Sequence, residues 1–214
     1  MQQIKMPDKA LRPECVILAA GDYPHGEVAR ALLDRAQMVI CCDGAAERYC
    51  ATGRMPSAVV GDMDSLPPSL REQLGDRVCL RPDQNTNDLW KALTYAIECG
   101  VHRAIVLGGF GQREDHSIGN IMLLAARMHE VQVQMVGDLG VFDFIDEPTR
   151  FESTAGQQVS LFTLSPSTMI STSGLRYKPP HNHLAAMWQG VSNEACGEMF
   201  TIETNGATIV YRHL

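Results

Sequence analysis

Two carboxylates close together at the end of an apolar run are the first chemistry this chain offers. Gly61-Asp62-Met63-Asp64-Ser65 follows Ala58-Val59-Val60, and in extended backbone Asp62 and Asp64 point to the same side. Asp43-Gly44-Ala45-Ala46 directly follows a second apolar run, Met38 to Cys42. If the two runs are neighbouring strands, three carboxylates converge on one sheet edge. Two charges ~4 Å apart repel by roughly 4 kcal/mol at an effective dielectric of 20. A divalent cation removes that penalty, and an all-oxygen donor set selects a hard ion such as Mg²⁺. The plainer reading is that each aspartate caps the helix or turn after it.

A second group surrounds Pro82-Asp83-Gln84-Asn85-Thr86-Asn87-Asp88, which precedes a helix carrying Lys91. Asp88 and Lys91 are i, i+3 neighbours on one face, and Thr86 or Asn87 can cap the helix. A helix start presents unpaired N–H groups and partial positive charge, so an ammonium one turn in could ground a phosphate. A solvated surface ion pair is the alternative. The third group is Leu107-Gly108-Gly109-Phe110-Gly111-Gln112-Arg113-Glu114-Asp115-His116, a buried strand running into a glycine-rich turn, then a helix with Asn120. Small residues let backbone approach a ligand closely, and arginine forks onto phosphate oxygens. Neither the GxxxxGK[ST] phosphate loop nor the GxGxxG dinucleotide fingerprint is present. His116 reads as a polar contact at a helix start, with a general base as the alternative. His181 and His183, in a proline-rich stretch, read as loop residues rather than a metal pair.

The elements that must position these residues follow from the apolar pattern. Val16 to Ala20, Met38 to Cys42, Ala58 to Gly61, Arg77 to Leu80, Ala104 to Leu107 and Val131 to Val136 read as strands. Between them, Glu27 to Ala36, Ala45 to Ala51, a segment opened by Pro67-Pro68-Ser69, Asp88 to Cys99 and Ser117 to Met128 read as helices. Pro in a first turn and Gly100 just past a last turn are helix punctuation. Continuous rather than alternating apolar strands imply a mostly parallel sheet covered on both faces, with its ligand site beyond the carboxyl ends of the strands. From about Val141 the texture changes to short strands, at Phe142 to Ile145, Val159 to Leu164, Met199 to Glu203 and Ala207 to Tyr211, with no convincing helix. The expected architecture is α/β over residues 1–140, followed by a smaller all-β, sandwich-like domain over 141–214.

The 214 residues are 45% hydrophobic and 20% charged, ordinary for a globular protein, which excludes disordered and collagen-like classes. Lys+Arg is 18 against Asp+Glu 25, a net charge of −7, so binding to nucleic acid by counterion release is not expected. No apolar run reaches the ~20 residues of a membrane span, and the polar start carries no signal-peptide core. The seven cysteines are an odd number without paired CxxC spacing; Cys15, Cys41, Cys42 and Cys79, in or beside apolar runs, read as small buried hydrophobes, and a reducing cytoplasm is the expected compartment.

Asp43-Gly44-Ala45-Ala46, Gly61 to Ser65, Gln84…Asp88…Lys91, Gly108-Gly109…Arg113…Asp115-His116…Asn120, Ser173-Gly174-Leu175-Arg176-Tyr177 and Ser192-Asn193 together resemble the thiamine pyrophosphokinase family. The motifs stand in the family's order, and the resemblance covers the chain from Val16 onward. It implies an α/β nucleotide-binding catalytic domain, a C-terminal β-sandwich that binds thiamine, and a homodimer with active sites at the subunit interface. It also implies transfer of the pyrophosphoryl group of ATP to thiamine, giving thiamine diphosphate and AMP, with Mg²⁺. By position, Asp43, Asp62, Asp64 and Asp88 correspond to the acidic cluster holding the metal, with Lys91 beside them as a catalytic residue. Gln84, Arg113, Asp115 and Asn120 correspond to nucleotide and phosphate contacts, and Tyr177, Ser192 and Asn193 to thiamine contacts. Two positions depart: Asn87 stands where the family commonly has Thr, and Tyr177 where it often has Trp. The alternatives are a Mg²⁺-dependent hydrolase of nucleotides or phosphate esters, and a non-catalytic nucleotide-binding protein of the same fold.

Overall fold

The computed structural model describes all of residues 1–214, and the chain divides into two compact units, Asp8–Asp138 and Met1–Pro7 with Leu139–Leu214. The first strand, β1 (Gln2–Ile4), therefore groups with the C-terminal residues rather than with the α/β part, where the sequence pattern put it. It pairs in parallel with Thr149–Phe151.

The unit Asp8–Asp138 alternates strands and helices: β2 (Cys15–Leu18), α1 (Glu27–Arg35), β3 (Met38–Cys42), α2 (Asp43–Cys50), β4 (Ala58–Gly61), α3 (Pro68–Leu74), β5 (Val78–Leu80), α4 (Asp88–Glu98), β6 (Arg103–Leu107), α5 (Glu114–Ala126) and β7 (Gln132–Val136). All pairings among these strands are parallel, in the order β7-β6-β2-β3-β4-β5. Every residue of β2 and β4 is buried, as expected of strands covered on both faces. The chain runs outward from β2 to β5 and then returns to β6 on the other side of β2. This reversal makes the carboxyl ends of β2 and β6 a topological switch point, the usual site of a ligand crevice in open α/β sheets.

Local signals account for the element that carries the most chemistry. The Asn87 side chain caps α4 by accepting from the Trp90 N–H at 2.9 Å, a bond worth about 1 kcal/mol. Gly100, at φ +81°, closes the helix in the left-handed region open to glycine. Leu89, Ala92, Leu93 and Ala96 form the buried stripe, and Lys91 is buried alongside it at 5% exposure. The Arg127 guanidinium lies 4.2 Å from the centre of the Trp90 ring and donates to the Trp90 carbonyl and the Thr94 hydroxyl. Arg127, just past α5, thus pins the first turns of α4.

The second unit contains β1, β8 (Gly140–Ile145), β9 (Thr149–Glu152), β10 (Gln158–Thr163), β11 (Ile170–Ser173), β12 (Asn193–Glu194), β13 (Met199–Thr204) and β14 (Thr208–His213). One sheet runs β1-β9-β13-β11, and the other strands run β12-β10-β14-β8. Ile4, Phe151, Val159, Leu161, Ile170, Phe200, Ile202 and Val210 belong to the core they share, with Phe151 and Phe200 stacked at 5.0 Å. Arg212 and Asp143 form an ion pair at 2.8 Å with both side chains fully buried, and Arg212 also donates to the carbonyls of Glu152 and Lys5. That guanidinium ties residues from three separate stretches, including the N-terminal one.

Candidate active site

The carboxyl ends of β3, β4 and β5 lie side by side, so the residues just beyond them gather at one edge. Asp43 opens α2, where the helix dipole favours an anion. It is 2% exposed, and its Oδ1 accepts from the Gly44 N–H at 2.6 Å. Its Oδ2 is buried with no hydrogen-bond partner. Burial and the neighbouring Asp88 carboxylate push the Asp43 carboxyl up to about 6.

Asp62 and Asp64 reach the same place by a different route from the one their spacing suggested. The backbone between them is not extended: buried Met63 sits at φ +67°, and the Asp64 N–H donates to Asp62 Oδ1 at 3.3 Å. A tight turn, rather than strand alternation, aims both carboxylates at Asp43. One oxygen from each of Asp43, Asp62 and Asp64 lies within 4.8 Å of the others. Gln84 donates to Asp62 Oδ2 at 2.8 Å, and this bond leads the interactions holding the Asp62 carboxyl below its usual range. Ser65 donates to Asp64 Oδ1 at 3.0 Å.

Asp88 and Lys91 close the other side. The Lys91 Nζ is 3.2 Å from Asp88 Oδ1 and 3.8 Å from Asp62 Oδ2. Asp88 therefore bridges the buried ammonium and Asp43, while the compact three-oxygen set comes from Asp43, Asp62 and Asp64. The sequence reading placed all four aspartates in one metal cluster. Gly61 opens the Asp62/Asp64 motif, and its steric role shows only in the fold. A Cβ there would lie 2.9 Å from Asp43 Cγ and 3.1 Å from Asp88 Oδ1. Gly61→Ala is expected to force these carboxylates apart, lowering turnover about tenfold and stability by about 1–3 kcal/mol. Steady-state kinetics with thermal melting checks both.

The glycine-rich segment after β6 brings two loops of the chain close together. The loops after β2 and β6 pair with each other: Gly21 N–H donates to the Gly108 carbonyl at 2.8 Å, and Asp22 N–H to the Phe110 carbonyl at 2.6 Å. Gly108, at φ +64°, has room for no Cβ, which would stand 2.6 Å from the Ala19 carbonyl oxygen. The close approach that glycine permits here is between two loops of the same chain. Arg48, absent from the sequence reading, locks the same corner by donating to the carbonyls of Ala20 and Gly21. Asn120 donates to the Gly109 carbonyl at 3.0 Å and so fastens α5 to this turn. Arg113 and Asp115 are exposed and pair with each other at 2.6 Å. His116 is exposed in the first turn of α5, and His183 contacts the Pro166 carbonyl.

Tyr177, Ser192 and Asn193 come together in the second unit. Asn193 is buried; its Oδ1 accepts from the Tyr177 N–H at 3.0 Å and its Nδ2 donates to the Tyr177 carbonyl at 2.7 Å. Its amide thus clamps the backbone beneath Tyr177, whose ring is 58% exposed. Ser192 is exposed, with φ +61° and its N–H on the Ser160 hydroxyl.

Residues 29–135 match the family model described as thiamin pyrophosphokinase, catalytic domain, and residues 140–211 match thiamin pyrophosphokinase, substrate-binding domain. Thiamine pyrophosphokinase 1 of Oryza sativa subsp. japonica is 28% identical over 181 residues, covering 70% of this chain and 68% of that relative. The fold is similar to that of thiamin pyrophosphokinase from Candida albicans, with TM-score 0.77, 17% identity, and coverage of 100% of this chain and 93% of that one. It is similar also to thiamin pyrophosphokinase from Geobacillus thermodenitrificans, with TM-score 0.76, 20% identity, and coverage of 94% and 97%. The two matched segments span most of the molecule in the family's order, and the chain belongs to the thiamin pyrophosphokinase family.

Proposed function

We propose that the edge formed by Asp43, Asp62 and Asp64 holds Mg²⁺ and the phosphates of ATP while the protein transfers the pyrophosphoryl group to thiamine, giving thiamine diphosphate and AMP. The observation that carries this reading is the set of carboxylate oxygens, one each from Asp43, Asp62 and Asp64, that lie within 4.8 Å of one another, at an aspartate, Asp43, whose Oδ2 is buried and unpartnered. Crowded anionic oxygens with no nitrogen or sulfur donor among them fit a hard divalent ion. Bound there, Mg²⁺ would offset the charge of the carboxylates and of the phosphate oxygens.

The protein's own groups do the positioning. Gln84 orients Asp62, and Asp88 holds the Lys91 ammonium against the acidic edge. Buried and rigidly placed, Lys91 can stabilise charge that develops on phosphate oxygens without reorganising at the moment of reaction. Arg113 and Asp115, with Asn120 behind them, are proposed for the nucleotide, and Tyr177, Ser192 and Asn193 for thiamine. The reading gives the α/β unit the nucleotide and the β-rich unit the acceptor, and the descriptions of the two matched family segments support that division. A homodimer is proposed as the working form, supported by Ile118 and Met122, apolar and exposed one turn apart on α5. A cytoplasmic location is proposed from seven free cysteines, three of them buried thiols. No helix is long and apolar enough to cross a membrane.

Incubation with ATP, Mg²⁺ and thiamine, followed by chromatography, tests the reaction. Thiamine diphosphate and AMP are expected together, with AMP absent when thiamine or Mg²⁺ is withheld. Phosphate release without an acceptor would make the protein a hydrolase, and calorimetric ATP binding without AMP would make it a binding protein.

A further inference from the structure

We infer that Trp188 is a thiamine-contacting residue, its indole face receiving the flat, cationic substrate. The inference rests on the reading that thiamine is the acceptor. Trp188 stands out first by exposure, at 71% the most exposed aromatic side chain among the large hydrophobic residues at the surface. The other rings of its unit are mostly engaged. Phe151 and Phe200 are buried and stacked, and Phe142 lies 4.9 Å from Tyr211. The Tyr177 ring is exposed, but the Arg176 guanidinium sits 5.7 Å from its centre. That guanidinium carries the same charge as a thiazolium and competes with it for the tyrosine face. Trp188 has no such cation over it, and indole is the strongest π partner for a cation.

The turn that carries Trp188 is held by its own hydrogen bonds and by packing. Met187–Gly190 forms one 3₁₀ turn, in which the Gln189 N–H donates to the Ala186 carbonyl at 3.0 Å and the Gln189 side chain accepts from the Ala186 N–H at 3.2 Å. Gly190 is buried so closely against β10 that a Cβ would lie 1.9 Å from the Leu161 carbonyl oxygen. With the backbone held by these contacts, binding has mainly the rotation of the exposed ring left to order. The segment also leads directly to Asn193, whose amide clamps Tyr177, so one short stretch anchors both rings. Met187 and Val191, 47% and 46% exposed, add apolar surface on either side. The family match places this segment in the substrate-binding domain.

Trp188→Ala and Trp188→Phe, each in the full chain, test the assignment. In Trp188→Ala the KM for thiamine is expected to rise about tenfold, with the KM for ATP and kcat within twofold of the parent. Trp188→Phe, which keeps a π-face, should recover most of the loss. Thiamine added alone should quench tryptophan emission in the parent and not in Trp188→Phe, where Trp90 is the remaining indole. An unchanged thiamine KM in Trp188→Ala, or quenching that persists in Trp188→Phe, would overturn the inference. So would a Trp188→Ala protein that sediments as a smaller species and loses ATP and thiamine affinity together, since Trp188 would then be a contact between copies. Failure of the reaction reading looks different: the parent would form no thiamine diphosphate, while the quenching comparison would still decide whether thiamine meets Trp188.

Discussion

Asp43→Asn is expected to lower turnover by at least a factor of about 100 while leaving the protein as stable as before, or more so. The activity loss follows from removing a charged oxygen that no neighbour can replace at the acidic edge, because its companions are already held by Gln84, Ser65 and Lys91. The stability gain follows from burial. In the metal-free protein the Asp43 carboxylate is 2% exposed, stands beside Asp88 and has one oxygen without a partner, so its charge opposes folding. Asparagine keeps the shape and loses the charge. In a protein of this size each 1 kcal/mol recovered raises the melting temperature by about 2–4 °C.

The pH dependence has a definite sign. The Asp43 carboxyl sits at about 6 in the folded protein, above the ~3.9 of an unfolded chain. Between those values the unfolded chain has released its proton and the folded one still holds it. The unfolded state binds fewer protons there, so stability falls as pH rises from about 4 to about 6 and then levels off. Melting of the chelator-treated parent should show this slope and Asp43→Asn should lack it. Added Mg²⁺ should restabilise the parent above pH 6 and have less effect on the variant, because a ligand bound only by the folded state stabilises it by mass action. A variant that keeps full turnover, or a parent whose melting ignores Mg²⁺, would remove the acidic-edge argument.

Lys91→Met is expected to damage both activity and fold. Methionine matches the length of the buried stem and discards the ammonium, which lies 3.2 Å from Asp88 and 3.8 Å from Asp62. Those carboxylates then crowd Asp43 with no cation between them. Because Asp62 and Asp88 retain some contact with solvent, the loss of stability should fall below that of a fully buried pair, at about 2 kcal/mol. Turnover should fall by about 100-fold or more, the scale for removing a fixed charge from a transition state. Mg²⁺ should recover part of the stability and none of the rate. Urea denaturation with and without Mg²⁺, alongside product chromatography, separates the two effects; equal recovery of both would make Lys91 a purely structural cation.

The parts of this molecule legible in its sequence are those governed by neighbours along the chain. The strands and helices of the α/β unit show as apolar runs and periodic faces, and Asn87 and Gly100 mark the ends of α4 through bonds made within one turn. Parallel pairing follows from strands apolar on both sides, and the position of Asp43 and Asp62 at strand ends follows with it. Four short, partly polar strands gave no such signal. Gln2–Ile4, Thr149–Glu152, Ile170–Ser173 and Asn193–Glu194 are two to four residues long and partly polar, and they are strands because a distant partner supplies their hydrogen bonds. Arg212 lies just past the end expected for its strand, because an arginine reads as surface until a buried Asp143 stands opposite it.

Within the site, residue types and spacing were enough to identify the carboxylates and the lysine, since charge that must be offset can be read without coordinates. What tertiary structure alone decided is how those charges are shared out. The left-handed Met63 turn, the absence of a side chain at Gly61 and the side-by-side ends of β3 and β4 bring Asp43, Asp62 and Asp64 together, while Asp88 faces Lys91. The same applies to the glycine-rich turn, where sequence shows that backbone must come close to something and only the folded chain shows that the partner is Ala19. The physical reason is range. Propensity, capping and hydrophobic period act over a few residues, whereas carboxylate crowding depends on atoms brought together from stretches up to 45 residues apart, Asp43 and Asp88 among them.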